Sequence, residues 1–140
     1  MSELRGRRAA TSTVAGMARP TATVSLAEKF GLFADAWAPK VVGEFNDLLV
    51  KAVKAKGDFV WHKHDDIDEI FLVTKGELTI QLREPDVVVG EDEFFVVPKG
   101  TEHRPSAREE CELLLFEPAG VVNTGDAASS DLTAAVDPWI

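Results

Sequence analysis

The sequence predicts an all-β domain, an antiparallel sandwich or barrel with one short helix in front of it. From Val41 onward the chain breaks into eight short segments rich in β-branched and large apolar residues. Gly, Pro and Asp turn signals separate these segments at regular spacing. At 140 residues, the chain is long enough for one domain with a real core and too short for two comfortable ones.

The predicted strands follow one another closely along the chain. In order they read VVGEF, DLLVKAVKA, DFVWHKH, EIFLVTK, ELTIQL, DVVV, EFFVVP and ECELLLFEP. The connections carry turn residues such as Lys56-Gly57, Lys75-Gly76 and Pro98-Lys99-Gly100. Because these connections are short, neighbouring strands are expected to pair in antiparallel fashion, and we assign residues 23–120 to the β-barrel domain.

One helix is predicted, from Ser25 to Trp37. Ser25 is suited to cap its start and Glu28 completes an S-x-x-E capping box. Apolar residues recur on one face at helical spacing, and Pro39 ends the element. We expect this aromatic face to plug the core rather than to bind a ligand.

The two ends of the chain read differently from the barrel. Residues 1–22 show no periodicity and predict an arm that is disordered or docked on a partner. Their Arg, Ala, Ser and Thr content faintly resembles an organelle transit peptide, but they lack the apolar stretch of a secretory signal. Residues 121–140, rich in Ala, Ser and Asp, predict a tail that wraps the barrel.

Charge and cysteine content narrow the functional classes. The formal net charge is −9, and residues 1–20 carry +3, so the remaining 120 residues carry −12. Such an acidic body repels nucleic acid and anionic membrane surfaces, and no stretch reaches the ~20 apolar residues of a membrane helix. Cys111 is the only cysteine, which indicates a reducing compartment, and we expect a cytoplasmic protein in which Cys111 is a packing residue.

The strongest chemical signal is a group of four potential metal ligands. His62, His64 and Glu69 lie in WHKHDDIDEIFLVTKG, and His103 lies in VVPKGTEHRP. These three histidines are the only ones in the chain. Imidazole nitrogens with one carboxylate suit divalent first-row metals, and they leave coordination positions open for chemistry.

Strand geometry explains how these residues could meet. Successive side chains of a strand point to opposite faces, so His62 and His64 share one face. The acidic connection after His64 returns the chain to a second strand, which places Glu69 beside the pair. The Pro98–Gly100 turn is expected to deliver His103. Each histidine alone could equally be an ordinary hydrogen-bonded buried residue, and the aspartates of the acidic connection are most simply a solvated turn.

These two segments resemble the two motifs of the cupin superfamily. The first family motif runs glycine, about five residues, H-x-H, three or four residues, E, six residues, G; here Gly57 is followed by His62, His64, Glu69 and Gly76, with four residues after Gly57. Asp68 fits the shorter spacing from the histidines, but only Glu69 leaves six residues before Gly76.

The second family motif runs glycine, a strand, then P-x-G-x-x-H, three residues and an asparagine. Gly90, Pro98, Gly100 and His103 match it, with seven rather than five residues between Gly90 and Pro98, and Ala107 holds the asparagine position. The resemblance covers roughly residues 40 to 118. It implies a double-stranded β-helix, or jelly-roll barrel, with one divalent metal (Fe, Mn, Ni or Zn) on His62, His64, Glu69 and His103. It also implies a homodimer, often formed through the early strands.

Function is less sharply indicated than fold. The leading hypothesis is a metal-dependent enzyme, of oxygenase or isomerase type, acting on a small organic substrate inside the barrel. The competing hypothesis is a non-catalytic module that binds or senses a small molecule. No catalytic residue besides the metal ligands is assigned. Polar candidates for the interior are few. Thr79 and Gln81 share one face of a strand, Arg104 adjoins His103 but is expected to point the other way, and the sequence leaves the orientation of Asn46 and Lys51 open.

Overall fold

The computed structural model describes residues 22–134 and 136–140. The predicted N-terminal arm, residues 1–22, lies outside the described residues except for Ala22. The described chain forms one α-helix and seven β-strands. They are α1 (Leu26–Phe30), β1 (Lys40–Phe45), β2 (Leu48–Asp58), β3 (Glu69–Lys75), β4 (Leu78–Leu82), β5 (Val87–Val89), β6 (Phe94–Val97) and β7 (His103–Pro118).

The long strand β7 organises the sheet. All named strand pairs are antiparallel, and the order is β1-β2-β7-β3-β6, with β4 paired to both β5 and β7. The strand β7 pairs with β2 over most of its length, with β3 at residues 112–114 and with β4 at residues 103–106. A strand with different partners along its length makes the sheet curl around a common interior, which is a β-barrel. The predicted all-β class with one short helix is confirmed.

Alternation along the strands separates an interior from an outer face. In β3, Phe71 and Val73 are buried with Glu69, whereas Ile70 and Leu72 between them are half-buried. The interior is filled by one apolar cluster that includes Leu78, Ile80, Leu113 and Leu115, among others. Such side chains each contribute about 1.5–3 kcal/mol when fully buried.

A second apolar cluster lies on the outer face. Leu72 and Leu114 pack there against residues from the helical region, and Ile140 joins them. The other members of this cluster are Leu26, Phe30, Phe33, Val42, Val50, Ala52 and Phe116. The helical region and Ile140 therefore cover Leu72 on the outer face.

The helix is shorter than predicted. Ser25 caps it as expected, because its side chain accepts a hydrogen bond from the backbone N–H of Glu28 at 3.2 Å. The prediction that it continues to Trp37 is wrong: it ends at Phe30, followed by Gly31, and Trp37 has a φ of 61°, outside the right-handed helical region. Trp37 instead stacks on Phe59 with ring centroids 4.8 Å apart, which keeps it in the core.

One predicted strand, DFVWHKH, is not a regular strand, so the described chain has seven strands instead of eight. After β2 ends at Asp58, the segment pairs only through an isolated antiparallel bridge between His62 and His103. The N–H of Phe59 donates to the carbonyl of Pro105 at 2.9 Å. Pro105 has no N–H to donate to the carbonyl of Phe59, so the second hydrogen bond of this residue pair cannot form. The regular ladder between these two segments therefore ends here.

The end of the chain runs along the edge of β1. Val41 forms a parallel bridge with Trp139, donates to the carbonyl of Pro138 at 2.8 Å, and accepts from the N–H of Ile140 at 3.1 Å. Lys29 of α1 donates to the carbonyl of Ile140 at 2.8 Å. These contacts hold residues 138–140 against the edge strand and the helix. Within the described ranges, no helix is long and apolar enough to cross a membrane.

Candidate metal centre

Three elements bring the four predicted ligands to one end of the barrel interior. His62 and His64 lie on the connection between β2 and β3, Glu69 begins β3, and His103 begins β7. The turn before His103 is closed by a bond from the N–H of Thr101 to the carbonyl of Pro98 at 3.1 Å. Gly100 adopts the left-handed φ of +80° that this turn requires, and its N–H donates to the carbonyl of His64 at 2.8 Å. The turn is therefore tied directly to the histidine pair.

The four side chains converge on the Glu69 carboxylate. Ligand atoms of His62, His64 and Glu69 all lie within 4.8 Å of one another. Nε2 of His103 lies 3.1 Å from Oε1 of Glu69, and Nε2 of His64 lies 3.4 Å from the same oxygen. All four side chains are buried, the most exposed being His64 at 9 %.

Two of the imidazoles are oriented by backbone carbonyls. Nδ1 of His62 lies 2.8 Å from the carbonyl of Val60, and Nδ1 of His103 lies 2.9 Å from the carbonyl of Thr101. A carbonyl can only accept, so each Nδ1 carries the proton and donates it. Each ring therefore presents Nε2 to the interior, which is the arrangement that fixes the tautomer of metal-binding histidines.

The protonation states also suit metal binding. Burial, together with the charge of nearby His103, lowers the pKa of His62 to about 4, so its imidazole is neutral at pH 7. Burial alone would raise the pKa of Glu69, but its interactions with the imidazoles of His103 and His64 outweigh burial and lower the pKa to about 2. A neutral imidazole and an ionised carboxylate are the forms that bind metal ions.

The donor set fits a divalent transition metal. Nε2 of His64 is buried and has no hydrogen-bond partner among the described residues, although Glu69 is close. Lone pairs of an unprotonated Nε2 and a carboxylate oxygen repel each other at such distances, so a proton or a cation has to lie between them. Nitrogen donors with one carboxylate favour a first-row metal over Mg²⁺ or Ca²⁺, and leave its identity open.

Asp68, the other carboxylate considered from the sequence, lies outside this cluster. Its Oδ1 accepts a hydrogen bond from the N–H of Lys99 at 2.9 Å, and the side chain is exposed. Asp68 therefore braces the turn that carries His103, while Glu69 faces the histidines.

The interior beside the ligands is small and mostly apolar. A cavity of about 30 Å³ adjoins His62 and Glu69, which is room for only one or two water molecules. Its remaining walls are formed by Trp37, Pro39, Val53, Phe59, Phe71, Pro105, Leu113, Leu115 and Asn123. An organic molecule needs more space than this, so at least one wall has to move to admit it.

The segment after β7 packs directly over the histidines. A Cβ placed on Gly125 would lie 3.0 Å from Cδ2 of His62 and 3.2 Å from Cε1 of His64, and would collide with the carbonyl of Lys63. Asp126 accepts from the N–H of Lys63 at 2.8 Å. An open groove of about 360 Å³ lies outside His64, between residues 63–67 and residues 120–126. Residues 125–126 and His64 therefore line the same groove.

The sequence-based list of interior polar candidates needs correction. Leu78 and Ile80 are the buried residues of β4, so Thr79 and Gln81 face outward. Gln81 accepts from Nε of Arg104 at 2.6 Å on that outer side. Asn46 is exposed, with a left-handed φ of 52°, at the turn between β1 and β2.

Lys51 is the candidate that does lie inside, and it meets two carboxylates that sequence reasoning missed. Its Nζ lies 2.8 Å from Oε2 of Glu117 and 2.6 Å from Oδ2 of Asp137. The three side chains are 2 %, 3 % and 10 % exposed. The sequence does hint that Lys51 points inward, because it alternates with Val53 and Ala55 and so shares their face of the strand. The residues on the opposite face are also apolar, however, so the sequence does not show which face is buried.

Cys111 packs in the interior as predicted. Its side chain is fully buried in the main apolar cluster. Burial raises the pKa of the thiol to about 12, so the reactive thiolate is not formed at neutral pH. Cys111 therefore contributes packing and no nucleophile.

Comparison with known proteins identifies the family and the fold. The family described as Cupin domain matches residues 49–117. The crystal structure of a cupin-2 domain containing protein from Shewanella frigidimarina is 44 % identical in sequence, with a TM-score of 0.68. That alignment covers 69 % of this chain and 94 % of the other.

Two curated proteins are also similar, each over part of its length. An uncharacterized protein of Bacillus subtilis, YdbB, is 38 % identical over 64 residues, which is 45 % of this chain and 57 % of that protein. A Saccharolobus solfataricus protein with a provisional dioxygenase name is 28 % identical over 86 residues, or 59 % of this chain and 22 % of that protein. The chain thus spans less than two thirds of both curated relatives.

Proposed function

Because this chain belongs to the cupin superfamily, we propose that it is a metal-dependent enzyme that acts on a small organic substrate inside its barrel. The single observation that carries the proposal is the convergence of three imidazoles on Glu69, with Nε2 of His103 and of His64 within 3.4 Å of one carboxylate oxygen. We propose His62, His64, Glu69 and His103 as the ligands of one divalent ion. Iron, manganese, nickel and zinc all suit this donor set.

An oxygenase is favoured over an isomerase. The similarity to the Saccharolobus protein with a provisional dioxygenase name supports oxygen chemistry. The mostly apolar walls beside Glu69 support a substrate with apolar character. When bound, the metal would supply Lewis acidity and open coordination positions to the reactants.

The residues around the ligands would hold the site in place. Val60 and Thr101 fix two imidazoles through their carbonyls, and the turn at Gly100 ties His103 to the backbone of His64. Phe71 packs edge-on against His103 with ring centroids 5.9 Å apart. These contacts limit movement of the donors and keep bulk water away from them.

Glu117 is the group best suited to hold a proton near this site. Burial, with the charge of Glu69 next in importance, raises the pKa of Glu117 to about 7. A carboxyl group with such a pKa can give up or accept a proton at neutral pH, as acid–base catalysis requires. Its role in turnover is part of this proposal.

The test is metal content combined with turnover. Wild-type protein purified without a chelating tag should carry close to one transition metal per chain, and His103→Ala close to none. Asp126→Ala, an exposed carboxylate variant beside the site, should keep the metal. Oxygen consumption with a panel of small aromatic and aliphatic compounds should then be seen only for the proteins that retain metal. Full metal content in His103→Ala would overturn the ligand assignment.

The alternative is a non-catalytic module that binds or senses a small molecule. The small cavity and the cover over His62 and His64 favour it, because they restrict access in the structure as it stands. Tight binding of a compound that is recovered unchanged, by a fully metallated protein, would support this second function over the enzyme.

The proposal extends to the oligomeric state of the protein and to its location in the cell. We propose a homodimer, which is supported by exposed apolar side chains at Val88 and Phe94 along one groove. We propose a cytoplasmic location, which is supported by the absence of any cysteine other than Cys111.

A further inference from the structure

The interior holds a buried ion cluster that supplies none of the proposed metal ligands. Lys51, on β2, lies between Glu117, on β7, and Asp137, on the segment that follows the barrel. Taking three charged groups out of water costs several kcal/mol per ion, which good pairing only partly offsets. An apolar residue would be simpler at each of these positions, so the cluster calls for a functional explanation.

The ion cluster lies next to the proposed metal ligands. The pairs Leu72–Leu114 and Val73–Leu113 fix the register of β3 against β7. The pairing ends at Leu72–Leu114, and Glu69 and Glu117 each lie three residues beyond this pair on their strands, both buried. The charge of Glu69 also contributes to the raised pKa of Glu117, which agrees with their proximity.

Lys51 lies next to residues that line the small cavity beside the ligands. It is paired in register with Leu115, and Leu115 and Val53 both line that cavity. Val53 lies two residues after Lys51 on the same strand and therefore on the same face. An ammonium group at this position can reach a molecule that occupies an enlarged cavity.

Asp137 differs from its two partners because it does not belong to a barrel strand. Its segment is attached to the edge of β1 through the carbonyl of Pro138 and the N–H of Ile140. Among the described residues, Oδ1 of Asp137 and Oε1 of Glu117 are buried without a hydrogen-bond partner. The second carboxylate on Lys51 is therefore inserted from outside and incompletely satisfied there.

We propose that Lys51 is the anchor for a carboxylate group on the small-molecule ligand, and that Asp137 occupies this anchor position in the absence of that ligand. The exchange of one carboxylate for another keeps the charge balance of the cluster. It also removes a side chain from the barrel, which provides part of the space that the cavity lacks. The substrate class is then a small organic acid, an inference that rests on the proposed function only in placing the acid beside the metal.

The test is chemical rescue of an Asp137→Ala variant by acetate, using metal-free protein. The variant should melt at a lower temperature than wild type in sodium chloride. Sodium acetate at equal ionic strength should raise its melting temperature saturably by about 4 °C, while wild type should respond much less. Acetamide, which has the same shape without the charge, should have no effect. Asp137→Ser provides the same comparison should the alanine variant fail to fold.

The matched control is the double variant Lys51→Met/Asp137→Ala, in which acetate should no longer stabilise the protein. Equal stabilisation of wild type and Asp137→Ala, or rescue that persists in the double variant, would overturn the anchor. The readout needs neither metal nor turnover. Loss of the proposed enzymatic activity would therefore leave the rescue intact, whereas loss of rescue with normal metal binding would remove only the carboxylate anchor.

Discussion

Two polar clusters lie near each other inside the barrel, and they differ in how their buried charges are compensated. The first contains one carboxylate, Glu69, among the imidazoles of His62, His64 and His103. The second contains Lys51 with Glu117 and Asp137, and so brings its cation with it. The first cluster presents donor atoms that suit a cation from solution, whereas the second contains the ammonium group of Lys51.

The difference extends to how each cluster is held. The imidazoles of the first cluster are fixed by backbone carbonyls next to them in sequence, at Val60 and Thr101. The second cluster joins two barrel strands to Asp137, which comes from a segment bound to the edge of β1. A rigid first cluster suits a resident ion, whereas a second cluster with one detachable member suits a ligand that enters and leaves.

Among the variants that test the difference between the two clusters, Lys51→Met is expected to change the stability of the protein most. The substitution removes the internal cation and leaves two buried carboxylates facing each other without a partner. At pH 8 we expect a loss of about 3–5 kcal/mol in the free energy of unfolding, because breaking a buried pair strands its charge. Denaturant unfolding monitored by tryptophan fluorescence measures this loss.

The matched control for Lys51→Met removes the charges together. The triple variant Lys51→Met/Glu117→Gln/Asp137→Asn has no buried charge in the second cluster and should recover most of the lost stability. A loss below about 1 kcal/mol in Lys51→Met alone would show that the cluster is hydrated in solution. The contrast between a closed ionic cluster and an open metal site would then no longer hold.

The two clusters also differ in how far the sequence predicts them. The first follows from local features: the H-x-H alternation, the spacing to Glu69, and the Pro98–Gly100 turn before His103. The second joins Lys51 to Glu117 and Asp137, which are 66 and 86 residues away in sequence. No local pattern records which strands will be neighbours, so contacts at that separation depend on the folded topology.

The same reasoning explains the errors in the secondary structure. The capping box at Ser25 and Glu28 gives the start of the helix correctly, because a cap is a contact between near neighbours. Its end was placed too late because Trp37 continues the apolar spacing, although Trp37 packs on Phe59 from a loop. Tertiary packing, which periodicity does not encode, takes this tryptophan out of the helix.

A smaller change is expected in the pH dependence of stability when Glu117 is replaced by Gln. In the folded protein burial and Glu69 raise the pKa of Glu117 from 4.5 to about 7. Between these values the folded protein binds more protons at this residue than the unfolded chain, so its contribution to stability falls as pH rises. The free energy of unfolding of Glu117→Gln, relative to that of wild type, should therefore rise by about 3 kcal/mol between pH 4.5 and pH 7.

The difference between the two proteins isolates this residue. His62, with a pKa lowered to about 4, gives the opposite trend, since stability is lost as pH falls from 6.5 toward 4. That trend is common to wild type and Glu117→Gln and cancels on subtraction. Urea unfolding at half-unit pH intervals provides the two curves. Parallel curves would show that Glu117 is ionised at all of these pH values and that the second cluster is more open than its burial indicates.

The smallest effect, and the most selective, is the response of stability to added metal. At a free metal concentration 100-fold above its dissociation constant, binding to the folded state alone should stabilise wild type by about 2.7 kcal/mol. Glu69→Gln should lose this response, because the amide replaces the only carboxylate in the first cluster. Asp68→Asn, the neighbouring carboxylate that accepts from Lys99, should retain it. Asp137→Asn should also retain it, since the second cluster supplies no metal ligand. Thermal unfolding with and without metal measures this response in each variant. A response that is lost in Asp137→Asn and kept in Glu69→Gln would reverse the roles assigned to the two clusters.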